Sequence, residues 1–285
     1  MMGIIFALVA SLLWGVNGIF LRKGLENEDV VSATFTVILI VTIITFIFSL
    51  GDVQRTELVS NQLNQVRTDK ILMLMLAGII SYFIARVITY FSVTTIGSSR
   101  AFSGTSTRIM FSAMFGVFLL HEVFSTLIFT GTVLMIFGLY IFSTEKIEKT
   151  GIYISVLSGF FYGLASLLIK AGMLESIFLS VFIASISGLV MLSIFAASKN
   201  RLRLVKNRYL AISATSLAFG NISYYFALSL APLIIAVPIS NLYPLVTTVL
   251  SYFFIQKLES VGLRTFFGSF LAVFGSILIA VGRNV

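Results

Sequence analysis

Cysteine is absent from the 285 residues. That excludes disulfides, thiolate metal sites and cysteine nucleophiles. Histidine occurs once, as His121, too few for a histidine-ligated metal centre. Charged residues make up only 11% of the chain, against about 25% in soluble domains. No GxxxxGK[ST] phosphate loop is present, so nothing points to ATP hydrolysis. Paired carboxylates and a Ser/His/Asp set are missing too, so no enzyme, metal or cofactor is expected. What is plentiful is apolar: 58% of residues are hydrophobic and the mean hydropathy is +1.07. Such a chain reads as an all-α membrane protein. A β-barrel would alternate apolar and polar residues in segments of about 10.

Crossing a bilayer takes about 20 predominantly apolar residues. Ten stretches qualify: 2–21, 31–50, 71–93, 98–120, 124–142, 151–170, 177–197, 209–228, 232–255 and 261–281. The first enters with no basic region before it, so no cleavable signal is expected. The fourth and fifth are separated by little more than His121-Glu122, a tight antiparallel hairpin. No soluble domain is visible. Twelve of the 19 Lys and Arg fall in loops after odd-numbered stretches and five on the other side; the positive-inside rule then puts both termini outside, with both in the cytoplasm as the alternative.

The chain repeats itself. Gly3-Ile4, Trp14-Gly15 and Arg22-Lys23-Gly24 align without a gap on Gly151-Ile152, Tyr162-Gly163 and Lys170-Ala171-Gly172. Glu122, Gly131 and Gly138 align on Glu259, Gly268 and Gly275, and Tyr90-Phe91 on Tyr225-Phe226. Three helix pairs in one order indicate two five-helix halves, 1–145 and 146–285. Because five is odd, the second half enters from the opposite side. Inverted repeats place a substrate site near the midplane, at the repeat interface.

The short first helix with Trp14-Gly15-Val16-Asn17, the Arg22-Lys23-Gly24 exit and the glycines after Glu122 and Glu259 resemble the EamA-type drug/metabolite transporters. The resemblance covers nearly the whole chain. It implies ten transmembrane helices, alternating access and a cavity lined by helices 1, 3, 4, 6, 8 and 9. The chain departs from the pattern at Thr107-Arg108, where such proteins often carry a proline; the ninth stretch keeps it as Pro244.

Arg108 lies about ten residues into the fourth stretch, roughly 15 Å from its start. Arg86 lies at overlapping depth in the antiparallel third. An arginine at mid-membrane costs about 2.5–3.5 kcal/mol on insertion scales and is a functional-site hypothesis. No stretch interior carries a matching acid, so the missing counter-charge is read as the substrate, held by bidentate hydrogen bonds. The alternative is that each arginine caps free carbonyls or snorkels to a vestibule. Arg100, in the first turn, is expected to snorkel to the surface. Ser103, Thr105, Ser106 and Thr107 offer hydroxyls on several faces, for substrate or for helix packing.

Trp14 and Asn17 share one side of the first helix. With Tyr90, Asn221, Tyr224 and Tyr225 they are candidate lining. Asn241 and Tyr243 lie between Pro238 and Pro244, which are read as helix breaks and a second cavity wall. Glu122 and Glu259 are expected at helix starts. Gly131, Gly138, Gly268 and Gly275 are expected to pack helices closely.

These features describe a secondary transporter for a small anionic or zwitterionic metabolite: an organic acid, an amino acid or a phosphorylated compound. Transport is expected by facilitated diffusion or exchange. A lipid-linked-phosphate flippase and an exporter of lipophilic drugs are the alternatives. The expected setting is the plasma (cytoplasmic) membrane, multi-pass, as monomer or homodimer. Its partners are then the lipid bilayer and the small-molecule substrate, not nucleic acid.

Overall fold

A computed structural model describes residues 2–53, 68–120, 125–143, 148–230 and 239–282. Every regular element among them is helical. In hydrocarbon each backbone N–H and C=O has to be satisfied within the protein, and a continuous apolar run does this as a helix. The helices are α1 (Met2–Gly24), α2 (Val30–Val53), α3 (Thr68–Ile96), α4 (Ser98–Thr105), α5 (Arg108–Leu120) and α6 (Thr126–Ser143). They continue with α7 (Lys149–Gly172), α8 (Ile177–Ser198), α9 (Arg208–Leu230), α10 (Tyr243–Phe254) and α11 (Leu263–Gly282). Among the described residues, α1, α2, α3, α7 and α8 are each long and apolar enough to cross a membrane. The outer surface is apolar, with Leu12, Ile47, Phe137, Ile194 and Phe267 all more than half exposed.

The packing repeats as the sequence does. α1 lies along α9 and crosses α10, while α7 lies along α3 and crosses α4 and α5. α2 meets α8, α4 meets α10 and α6 meets α11. Exchanging the halves maps the first set of contacts onto the second, and maps α2–α8, α6–α11 and the pairing of the fourth and ninth stretches (α4–α10) each onto itself. Small residues permit the closest approaches. A methyl group at Gly131 would lie 2.5 Å from the Gly275 carbonyl, and one at Gly138 would lie 2.7 Å from that of Gly268. The four glycines therefore join α6 to α11 backbone to backbone, as expected.

Both halves contain a broken helix. α4 ends at Thr105 and α5 begins at Arg108, with a turn at residues 106–107. In the second half a turn at 241–242 precedes α10. These breaks are equivalent by the offset that relates Tyr90 to Tyr225 (90 to 225, 106 to 241: 135 residues in each case). Pro244 sits in the first turn of α10, where a helix does not use the missing N–H. The first half breaks at the same place without a proline. Pro238, together with Pro232, His121 and Glu122, lies outside the described residues.

Two expectations for charged residues are overturned. Arg100 does not reach the surface. It is 4% exposed and donates through Nη2 to the Ser260 carbonyl at 2.7 Å and to Thr265 Oγ1 at 3.2 Å. Glu259 does not start its own helix. It lies in the turn before α11, 4% exposed, and caps α4 from the other half of the chain. Its carboxylate accepts from the Ser98 N–H at 2.5 Å, the Ser99 N–H at 2.8 Å and the Ser98 hydroxyl at 3.0 Å. A buried carboxylate and a buried helix start each lack a partner alone, and together they satisfy one another.

Candidate functional site

Where the two broken helices face each other, a cavity of about 100 Å³ opens inside the bundle. Its walls come from α1, α3, α4, α5, α7, α9 and α10. These elements belong to the first, third, fourth, sixth, eighth and ninth apolar stretches, the six named by the family resemblance. Of the residues expected there, Trp14, Asn17, Arg86, Arg108, Asn221, Tyr225 and Tyr243 line it, with Tyr224 and Thr105.

Tyr90, Ser103, Thr107 and Asn241 do not line it. Tyr90 is fully buried in the core between helices. Ser106 and Thr107 are spent on the helix break, and Ser103 on bonds within α4 and to α11. Ser106 Oγ donates to the Ser103 carbonyl and Thr107 Oγ1 to that of Gly104, both at 2.7 Å. Ser103 Oγ meets Ser99 O and Ser269 Oγ at 2.9 Å each. A hydroxyl that closes onto its own backbone satisfies carbonyls that an interrupted helix leaves open. Asn241, at the turn in the second half, is turned away from the cavity too, and donates to Ser276 Oγ of α11 at 2.8 Å.

Arg108 is the first residue of α5, so the break itself aims it into the cavity. Its guanidinium carbon stands 5.2 Å from the Trp14 ring centre, 5.7 Å from Tyr243 and 5.8 Å from Tyr224. Arg86, on α3, lies 5.3 Å from the ring of Tyr162. A desolvated cation–π contact contributes about 2 kcal/mol. Three rings at Arg108 are thus of the same order as the about 2.5–3.5 kcal/mol that a central arginine costs. The single ring at Arg86 covers less of that cost. Neither arginine is fully matched: Arg86 Nε and Arg108 Nη2 are buried without a hydrogen-bond partner among the described residues, as are the hydroxyls of Tyr162 and Tyr225. No Asp or Glu is among the described lining residues.

A polar chain runs through the cavity wall. Trp14 Nε1 donates to Asn221 Oδ1 and Asn221 Nδ2 donates to Tyr82 Oη, both at 3.0 Å. Asn17 is tied to α9, donating to Ser213 O at 2.9 Å and Ser213 Oγ at 2.8 Å. Tyr82 lies on a π-helical turn, Ile79–Ile84, within α3. Such turns often mark functional positions in a helix. Sequence reasoning did not assign Tyr82, Tyr162, Ser81, Thr89, Phe102 or Ser166 to the site. For two of them a signal existed: Tyr82 is one helical turn before Arg86, and Tyr162 aligns with Trp14.

The repeat also organises the site. Arg86 corresponds to Asn221 and Arg108 to Tyr243 by the same offset, and Trp14 corresponds to Tyr162. Arg86 stacks on Tyr162 where Asn221 bonds Trp14. Equivalent positions meet on both sides, but both cations belong to the first half. The arrangement can bind a small anion by charge-assisted, forked hydrogen bonds against an aromatic wall.

Comparison with known proteins gives three results. No curated protein matches. Several solved structures are similar; one crystal structure matches across 99% of this chain and 99% of its own length, with a TM-score of 0.65 and 12% identity, which shows a shared fold. The model of the EamA-like transporter family matches twice, at residues 1–144 and 149–281. The chain is an integral, multi-pass membrane protein and belongs to the EamA-like transporter family.

Proposed function

We propose that this protein is a secondary transporter that moves a small anionic or zwitterionic metabolite by alternating access. Ten transmembrane helices form two five-helix halves, 1–145 and 146–285, of opposite topology. The halves rock about the cavity and expose it to each face in turn. The membrane is the cytoplasmic one. The observation that carries this reading is a cavity holding two arginines with unpartnered donors and no acid among its described lining.

The first contact with substrate falls to the two guanidiniums, which take a carboxylate, phosphate or sulfonate group. Tyr82, Asn221 and the tyrosine hydroxyls bind its remaining polar atoms, and Trp14, Tyr224 and Tyr243 exclude water around it. The cavity, at about 100 Å³, favours a small metabolite over lipophilic drugs, whose sites run to roughly 300–1,000 Å³.

A thermal-shift screen of the purified protein against organic acids, amino acids, phosphorylated compounds and organic cations tests this. Binding to the folded state raises stability by about 2.7 kcal/mol at one hundred times Kd. Anions are expected to stabilise the wild type, and Arg108→Ala and Arg86→Ala are expected to weaken the effect. Equal responses in all three proteins, or stabilisation by cations alone, overturns the reading. A flippase for lipid-linked phosphate shares the arginines, and it is favoured if lipid phosphates alone stabilise the wild type.

A further inference from the structure

Both cations that face the cavity come from the first half, and their counterparts, Asn221 and Tyr243, are neutral. The rings around Arg108 and Arg86 orient the guanidiniums without cancelling their charge, because an aromatic ring has a quadrupole but no net charge. The described lining supplies no carboxylate to balance the two charges. A monoanion in this cavity leaves one net positive charge. A dianion leaves none.

The charge count matters most at the midpoint of the transport cycle. Between the two open states the cavity is cut off from water on both sides. Open, an empty site is hydrated. Closed, it carries two guanidiniums into a low-dielectric interior, stacked on rings but with no counter-charge, and an uncompensated ion there is disfavoured.

We propose that the site takes a small dianion, a dicarboxylate or a phosphate group, and that the protein is consequently an exchanger that rearranges readily only when loaded. This inference rests on the anion-transport reading above and sharpens it. It assigns Arg86 and Arg108 together as the charge sensor of the cycle. Loaded with a dianion, the closed state is neutral and accessible. Empty, or holding a cation, it is not.

The test uses the full chain in vesicles, with the membrane potential clamped by potassium and valinomycin. Uptake of labelled succinate and labelled inorganic phosphate is compared between empty vesicles and vesicles preloaded with the same unlabelled anion. Lactate and choline serve as the monoanion and cation. Uptake of at least one dianion is expected to be about tenfold faster into preloaded vesicles, with lactate a poor counter-substrate. Arg86→Gln, checked for folding by gel filtration, is expected to shift preference toward lactate, since one positive charge remains.

Equal dianion uptake into empty and loaded vesicles overturns exchange and leaves anion transport standing. Lactate outrunning both dianions in the wild type overturns the charge match. Movement of choline but of no anion overturns this inference and the reading beneath it. Should Arg86→Gln not fold, the wild-type comparison of loaded with empty vesicles decides alone.

Discussion

Arg108 stands 5.2 Å over the indole ring of Trp14, the single tryptophan in the chain. The intrinsic fluorescence of the protein therefore reports on the cavity directly. An anion drawn to Arg108 shifts the guanidinium relative to the ring and perturbs its emission. Titration with succinate or phosphate is expected to give a saturable change in Trp14 emission in the wild type and none in Arg108→Ala. An unchanged spectrum at anion concentrations that stabilise the protein would separate the binding site from this arginine.

The Glu259 cap links the halves at the start of α4, and its energetic weight is measurable. Glu259→Gln keeps the shape but exchanges one of the two accepting oxygens for a donor that faces the N–H of either Ser98 or Ser99. Leaving such buried donors unpaired costs about 1–3 kcal/mol. Thermal unfolding in detergent is expected to show that loss, and stability equal to wild type would mean the cap contributes nothing.

Packing of α6 on α11 gives a prediction with an internal control. Gly131→Ala and Gly138→Ala place a methyl against backbone carbonyl oxygens that cannot rotate away, and overpacking of that kind costs about 1–3 kcal/mol. At Gly51, in α2, an added methyl group would meet nothing within 4 Å, so Gly51→Ala is expected to be neutral or slightly stabilising. Unfolding of the three variants side by side checks the contrast. Equal behaviour would remove the argument for close backbone contact.

Outside the bundle, Asp29 precedes α2 and accepts from the Ser32 N–H at 2.9 Å and the Ser32 hydroxyl at 2.8 Å, while Arg201 meets its other oxygen at 2.6 Å. Burial pushes its carboxyl up, but the Ser32 hydrogen bonds and the charges of Arg201 and Arg203 outweigh this and hold it below its ordinary value. A lowered folded-state value means that the stabilisation is fully present above the ordinary aspartate range, and is lost as pH falls through the folded value. Asp29→Ala is expected to cost about 0.5–2 kcal/mol near neutral pH. That difference should shrink at about pH 3, as unfolding measured at both conditions would show. A pH-independent difference would make the cap indifferent to charge.

Much of the architecture was legible in the primary structure. Apolar run length located the helices because each run has to satisfy its own backbone in hydrocarbon, a local requirement. The glycine spacing of the fifth and tenth stretches foretold their backbone contact. Arg86 and Arg108 stood out because charge is rare at that depth. The hydroxyl run leaves substrate and packing open for a specific reason. Ser106 and Thr107 are equally good donors to a substrate or to carbonyls three residues back, and composition does not say which lies closer.

Sequence alone thus determined the membrane class, the helical runs and the repeat, because hydropathy and spacing are properties of the chain taken in order. Only the tertiary structure decided which polar groups turn inward. It put Tyr162 beneath Arg86, spent Ser106 and Thr107 on a helix break, turned Ser103 toward α11, and brought Glu259 to the start of α4 from 160 residues away. Those outcomes depend on how each helix is rotated against its neighbours, and packing between distant segments sets that rotation.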